Sequence, residues 1–313
     1  MQKVTPAIQQ AESADVVAIA SRDLALARAA ARSLGIPTAY GSYQQLLEDA
    51  TIDAVYVPLP NDQHAEWTIR AAQAGKHVLC EKPLAMSSSQ AQEMVDACQA
   101  AGVRMQEAFM YRQHATWERA VMLVRQGAIG TLQGMQTWFS YFNDDPQNIR
   151  NRTENGGGAL MDIGCYPINA SRMVFGSEPV AVRAAVRRDP VLDVDVLTSA
   201  ILEFPGGGQS TFTVSTRCQP HQRVDLVGTE GRIEIPIPFN IPWDRETVIS
   251  LTTGGEGTVD PSTQVITFAP SNQYTIQAEA FSRAVLTNTD VPVLPSDAVE
   301  TMRVLERVVE AAA

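Results

Sequence analysis

Through the first hundred residues, short apolar, β-branched runs alternate with Ala-, Leu- and Gln-rich stretches, the rhythm of a parallel sheet flanked by helices. The pattern predicts strands at Asp15–Ala20, Pro37–Tyr40, Asp53–Pro58, Lys76–Glu81 and Val103–Ala108. Helices are predicted at Leu24–Leu34, Tyr43–Asp49, Gln63–Ala74 and Ser88–Ala101, with Gly35, Gly75 and Gly102 as C-terminal stops. From about Ala115 the texture changes. A helix at Thr116–Gln126 leads into longer alternating segments, Leu132–Phe142, Val180–Arg188, Leu197–Phe204 and Ser210–Thr216, which predict antiparallel strands. Val224–Val227 and Arg232–Pro236 flank Gly228-Thr229-Glu230-Gly231 as a hairpin, and Gln277–Leu286 and Ala298–Ala312 read as closing helices. The change of texture near Phe109–Arg112 divides the chain into residues 1–110 and 111–313.

Composition narrows the function. With 45% hydrophobic and 19% charged residues the chain is expected to fold, and 313 residues suffice for two cores. A net charge of −11 disfavours nucleic acid and anionic membrane as partners, which leaves small molecules. The four cysteines, Cys80, Cys98, Cys165 and Cys218, form no CxxC pair, so neither a metal site nor a disulfide framework is expected. No secretory leader pattern or membrane-length run is visible, and a cytoplasmic protein is expected.

In a doubly wound sheet, ligands bind beyond the carboxyl ends of the strands. Four stretches stand there or near there. Ser21-Arg22-Asp23 follows the first strand, where dinucleotide-binding folds usually carry an acid for the ribose 2′-hydroxyl. A hydroxyl and a guanidinium suit a 2′-phosphate instead, though Ser21 or Asp23 could equally just cap the next helix. Pro58-Leu59-Pro60-Asn61 stiffens a turn against which a flat ligand could lie. Asn61 would cap the helix or reach a ribose, and His64 lies one turn further on. Glu81-Lys82-Pro83 sets an acid and an amine at a strand end, where a partly buried lysine could hydrogen-bond or protonate a carbonyl oxygen. Finally, Gly156-Gly157-Gly158 opens a helix that ends near Gly176. In it Asp162 and Tyr166, four apart, share a face, so the acid could orient a proton-exchanging phenol. Taken singly, a surface lysine, a capping Asp and a packed Tyr explain these residues as well.

Taken in order, VYVPLPNDQH, VLCEKPL and NGGGALMDIGCYPINASRMVFG resemble the glucose–fructose oxidoreductase, inositol dehydrogenase and rhizopine catabolism family. Tyr166 and Phe109–His114 are most similar to its NADP-dependent D-xylose dehydrogenase and dihydrodiol dehydrogenase branch. The resemblance implies an α/β fold: a Rossmann-type parallel sheet, then an α+β domain with a large, mainly antiparallel open sheet that serves substrate binding and pairs subunits as a homodimer or homotetramer. It implies an NADP- or NAD-dependent oxidoreductase acting on a sugar, polyol or dihydrodiol. Lys82 and Tyr166 would be catalytic, with Asp162 orienting them. Pro58, Leu59, Pro60, Asn61, His64 and Glu81 would line the nicotinamide and its ribose, Ser21 and Arg22 the 2′-phosphate, and Tyr111 and Arg112 the substrate. Gln2–Ile8 resembles the helix that in the family follows a first strand and a Gly-rich turn. The parallel sheet is therefore expected to lack that strand and the phosphate-binding turn. Two alternatives remain: a non-catalytic relative that no longer holds a dinucleotide, and a lyase or glycosidase that recycles the hydride.

Overall fold

The computed structural model describes residues 3–254 and 261–312, so Met1 and Gln2 lie outside it. Up to Met110 the elements are α1 (Val4–Ile8), β1 (Ala18–Ala20), α2 (Leu24–Leu34), β2 (Thr38–Tyr40), α3 (Tyr43–Glu48), β3 (Ala54–Val57), α4 (Asn61–Gln73), β4 (His77–Cys80), α5 (Ser88–Ala100) and β5 (Met105–Glu107). Next come a 3₁₀ turn (Met110–Gln113), α6 (Ala115–Arg125), β6 (Leu132–Phe142), a π-helical turn (Leu160–Gly164) and α7 (Cys165–Phe175). Strands β7 (Ala181–Arg188), β8 (Asp195–Glu203), β9 (Gln209–Ser215), β10 (Arg217–Gly228), β11 (Gly231–Ile235), β12 (Thr247–Thr253) and β13 (Ser262–Phe268) follow, then α8 (Gln273–Thr287) and α9 (Pro295–Ala311).

The chain separates into two compact units. One comprises Met1–Ala85, Ser89–Met110 and Asn272–Val299, the other Met86–Ser88, Tyr111–Ser271 and Glu300–Ala313. The stretch Asn272–Val299, placed by sequence order with the second half, thus packs with the first. Its physical reasons are specific. In α8, Thr275 Oγ1 donates to the Ala7 carbonyl at 2.8 Å and Glu279 accepts from the Ser13 amide at 3.0 Å. Phe281, Ala284 and Val291 share a core with Leu79 and Ala108.

In the first unit the described parallel strands fall into two ladders, β1 with β2 and β3–β4–β5. A cavity of about 600 Å³ lies there, lined by residues of β1 and β3, Leu26, Leu46 and Phe281 among others. Burial follows the break. Every residue of β5 and all but the first of β4 are buried, whereas β1 and β2 are half-buried throughout and Ala54 of β3 is exposed. Parallel strands are normally covered on both faces, and the less buried β1 and β3 border this cavity.

The second unit is built on an eight-stranded sheet in the order β13-β12-β11-β10-β6-β9-β8-β7. Every neighbouring pair is antiparallel except β6 with β9. Alternation sets its faces: Met135, Thr137 and Phe139 of β6 are buried, while Gln136 and Trp138 point the other way and are exposed.

Candidate active site

At the end of β1 the Asp23 carboxylate accepts from the Ala25 and Leu26 amides at 2.7 and 3.3 Å, and Ser21 Oγ accepts from the Asp23 amide at 3.2 Å. Both thus serve the start of α2. Arg22 is exposed beside them.

β3 and β4 run in register, with Val57 opposite Cys80, so the turns that follow leave the sheet side by side. In the first turn Pro60, not Asn61, occupies the cap position of α4; Asn61 is the first helical residue. His64 is fully buried, with Nδ1 3.0 Å from the Pro83 carbonyl and Nε2 2.8 Å from the Leu59 carbonyl. Burial lowers its pKa. The imidazole thus ties the Pro58–Pro60 turn to the turn after β4.

That second turn holds Glu81, half-buried Lys82 and a cis Lys82–Pro83 peptide. Glu81 accepts from the Tyr56 hydroxyl at 2.5 Å and from the Lys82 amide at 3.2 Å. Burial and the neighbouring Glu81 charge push the Tyr56 phenol well above its ordinary range, so it stays a donor. Tyr274 of α8 also faces this turn; burial, then Glu81, raise its pKa to about 12. Beyond Pro83 the Leu84 amide donates to Glu107 at 2.8 Å, which fastens the turn to β5. Neither Tyr56 nor Tyr274 was expected at the site. The signal for Tyr56 was present, because a Tyr inside a β-branched strand needs a partner for its hydroxyl.

In the second unit the glycine run begins a π-helical turn rather than an ordinary helix start. Such turns recur at functional sites. Gly157 and Gly158 permit a close approach. Their amides donate to the carbonyls of Arg152 and Arg150, both at 2.9 Å, and a Cβ on Gly157 would stand 2.6 Å from the Arg150 oxygen. The loop is thereby held against the turn that bears Asp162. Asp162 is nearly buried; it accepts from the Tyr141 hydroxyl at 2.5 Å and from Arg150 Nε at 3.1 Å. Tyr166, 6% exposed, packs against Tyr111, Phe139 and Phe239 at ring distances of 6.0, 5.6 and 5.1 Å.

Tyr111 is fully buried, and its hydroxyl donates to Asn169 at 2.6 Å. Arg112 reaches the same Asn169 oxygen at 3.4 Å. Among the described residues no group of three His, Cys, Asp or Glu side chains could hold a metal ion, and no helix is long and apolar enough to cross a membrane.

The sequence model of an oxidoreductase family with an NAD-binding Rossmann fold matches residues 1–109, and the C-terminal domain model of the same family matches residues 117–234. A D-xylose 1-dehydrogenase (NADP⁺) of Haloferax volcanii is 39% identical over 313 residues, which is 100% of this chain and 94% of that protein. The chain belongs to the glucose–fructose oxidoreductase, inositol dehydrogenase and rhizopine catabolism family. Another relative in this family, a trans-1,2-dihydrobenzene-1,2-diol dehydrogenase of Xenopus laevis, is 34% identical, covering 87% of this chain and 81% of its own. Among solved family structures, a 3-ketoreductase from Actinomadura kijaniata in complex with NADP and TDP-benzene superposes with a TM-score of 0.91. It is 29% identical and covers 99% of this chain and 93% of its own. The chain is accordingly an NAD(P)-dependent oxidoreductase of this family.

Proposed function

We propose that the chain is an NADP-preferring dehydrogenase or reductase that moves a hydride between the nicotinamide and a carbinol carbon of a sugar, polyol or dihydrodiol. The turn after β4 carries this reading: Lys82 follows a glutamate fixed by Tyr56, at the strand end where a doubly wound sheet takes its ligand. The fit to a dinucleotide is supported by Ser21, Pro58 and Leu59, which line the cavity of the first unit. No glycine precedes Gly35 in the sequence, so the backbone cradle of a pyrophosphate is not among these residues. Ser21 and Arg22 would hold the 2′-phosphate, and Pro58, Leu59, Pro60, Asn61 and Glu81 the nicotinamide riboside.

When bound, the cofactor supplies or accepts the hydride. The protein handles the proton. Lys82 would hydrogen-bond the reacting oxygen, Tyr166 would exchange its proton, Asp162 would orient them, and Tyr111 and Arg112 would lie near the substrate. The xylose and dihydrodiol relatives suggest the substrate class. NADPH absorbance followed over a panel of aldoses, cyclic polyols and dihydrodiols tests the assignment; no turnover on any of them would overturn it.

The preference for NADP rests on Arg22, an exposed guanidinium where an acid would favour NAD. Arg22→Asp should lower the NADP-to-NAD ratio of kcat/KM about tenfold or more, the worth of one charge-assisted hydrogen bond. Equal use of both cofactors by the unaltered protein would reduce Ser21 and Arg22 to a helix start.

Self-association belongs to the same reading. The open face of the large sheet carries Gln136, Trp138, Ser199, Ile201, Thr211 and Thr213 along a shallow depression. Trp138 and Ile201 are 40% and 38% exposed there, which favours a homodimer, or a homotetramer built from it, formed across this face. Sedimentation at micromolar concentration should show an oligomer that Trp138→Glu dissociates. A monomeric unaltered protein would refute the pairing. Four free cysteines fit a reducing compartment, and a cytoplasmic site of action is part of the proposal.

A further inference from the structure

We propose that Arg150 is a positioning residue for Tyr166: with Tyr141 it holds Asp162 and balances its charge, so that the phenol can release a proton. The inference rests on the reading of Tyr166 as the proton-exchanging group. Three observations within the second unit support it.

First, both oxygens of the Asp162 carboxylate are engaged, Oδ2 by the Tyr141 hydroxyl at 2.5 Å and Oδ1 by Arg150 Nε at 3.1 Å. A hydrogen bond on each oxygen fixes the carboxylate plane, and only one of the two donors brings a positive charge. Secondly, Tyr141 and Arg150 come from strand β6 and the loop after it, and Gly157 and Gly158 press that loop against the turn bearing Asp162. The clamp is thus built by backbone packing rather than by a chance meeting of surface side chains. Thirdly, Arg150 lies within electrostatic reach of Asp162, Tyr141 and Tyr166, and the Asp162 charge is the chief cause of its raised pKa.

Other groups also pack around Tyr166. Tyr111 from the 3₁₀ turn, Phe139 from β6 and Phe239 pack on its ring. The Tyr111 hydroxyl donates to Asn169, which Arg112 also approaches. Arg217 acts on Tyr141 and is itself paired with Asp189 at 3.3 Å. A lone carboxylate four residues before Tyr166 would oppose formation of the phenolate, whereas a carboxylate paired with a guanidinium presents a nearly neutral neighbour. Tyr141 cannot supply this balance. Burial and the Asp162 charge hold its own phenol above the ordinary range, so it contributes a proton to a hydrogen bond and no charge.

Arg150 is half exposed, so its replacement should leave the fold intact. The test reads Tyr166 directly, without turnover. Tyrosinate absorbance near 295 nm is titrated for the unaltered protein minus Tyr166→Phe, and again for Arg150→Met minus the Arg150→Met, Tyr166→Phe double variant. The Tyr166 midpoint should rise by about one pH unit or more in Arg150→Met and stay near its original value in Arg150→Lys. The pH at which hydroxyl oxidation gains speed should move with it, with KM little changed. Tyr141→Phe should lower kcat about tenfold at unchanged KM, the effect of losing one orienting hydrogen bond. An unmoved midpoint in Arg150→Met, or an equal shift in Arg150→Lys, overturns the proposal whatever the activity. A shifted midpoint in a protein that turns over no substrate would instead overturn the assigned reaction and leave the charge coupling standing.

Discussion

Lys82→Met should lower turnover about 10²–10⁴-fold, the usual contribution of a positioned proton-handling group, while NADPH affinity changes little. Met keeps the length and apolar stem of the side chain. What is lost is the ammonium at the end of β4. The backbone of the turn has supports of its own, because the Lys82 amide donates to Glu81 and Tyr56 holds the other oxygen of that glutamate. The Leu84 amide anchors the far side of the turn on Glu107. The effect should therefore fall chiefly on kcat. Steady-state rates combined with a fluorescence titration of NADPH separate the two quantities. A loss of less than tenfold in kcat would remove Lys82 from the chemistry.

The second large effect is expected at a glycine. Gly158 has φ +117°, a conformation that L side chains rarely adopt, and a Cβ built there would lie 1.9 Å from Asp195 Oδ1. Asp195 is half-buried and holds the start of the π-helical turn, accepting from the Leu160 amide at 2.7 Å and from Thr198 Oγ1 at 2.8 Å. Gly158→Ala must displace either this carboxylate or the backbone that carries Asp162. Backbone strain plus a disturbed hydrogen-bonded carboxylate should cost about 2–4 kcal/mol. That corresponds to a fall in melting temperature of roughly 5–15 °C for a unit of this size. Calorimetry and kcat should fall together; a melting temperature within about 1 °C of the original would show that the turn relaxes without strain.

Much of this architecture was legible in the sequence, for identifiable reasons. Gly35, Gly75 and Gly102 all adopt positive φ at helix ends, so punctuation located the helices of the first unit. Strict alternation placed β6 at Leu132–Phe142 to the residue. The outer strands of the large sheet were hidden. β12 and β13 are rich in Thr and Ser, and the first half of β10, Arg217–Arg223, is polar and interrupted by Pro220, with a register shift against β6 between Arg217 and His221. An irregular, polar strand gives no period-two signal. Nor could local pattern show that Asn272–Val299 returns to the first unit, since that follows from long-range packing.

The site divides in the same way. Lys82, Asp162 and Tyr166 stand in short motifs, whereas the residues that hold them come from elsewhere: Tyr56 is 25 positions from Glu81, and Tyr141 is 21 from Asp162. His64 and Tyr111 stand in the same motifs and are fully buried. A motif records that a residue matters without saying whether it touches the ligand.

The central place of β6 in the large sheet has a consequence for the order of folding. β7, β8 and β9 follow one another as an antiparallel meander, and so do β10, β11, β12 and β13. Each set can form from contacts close in sequence. β6 precedes both sets in the chain yet lies between β9 and β10, pairing Gly134 with Gln209 and Thr137 with Val224. These are the long-loop contacts, whose closure entropy delays them. The two meanders should therefore form early and separately, and the unit becomes a single cooperative structure only when β6 inserts. Because β6 also carries Tyr141, the proton-handling region is completed in that same late step.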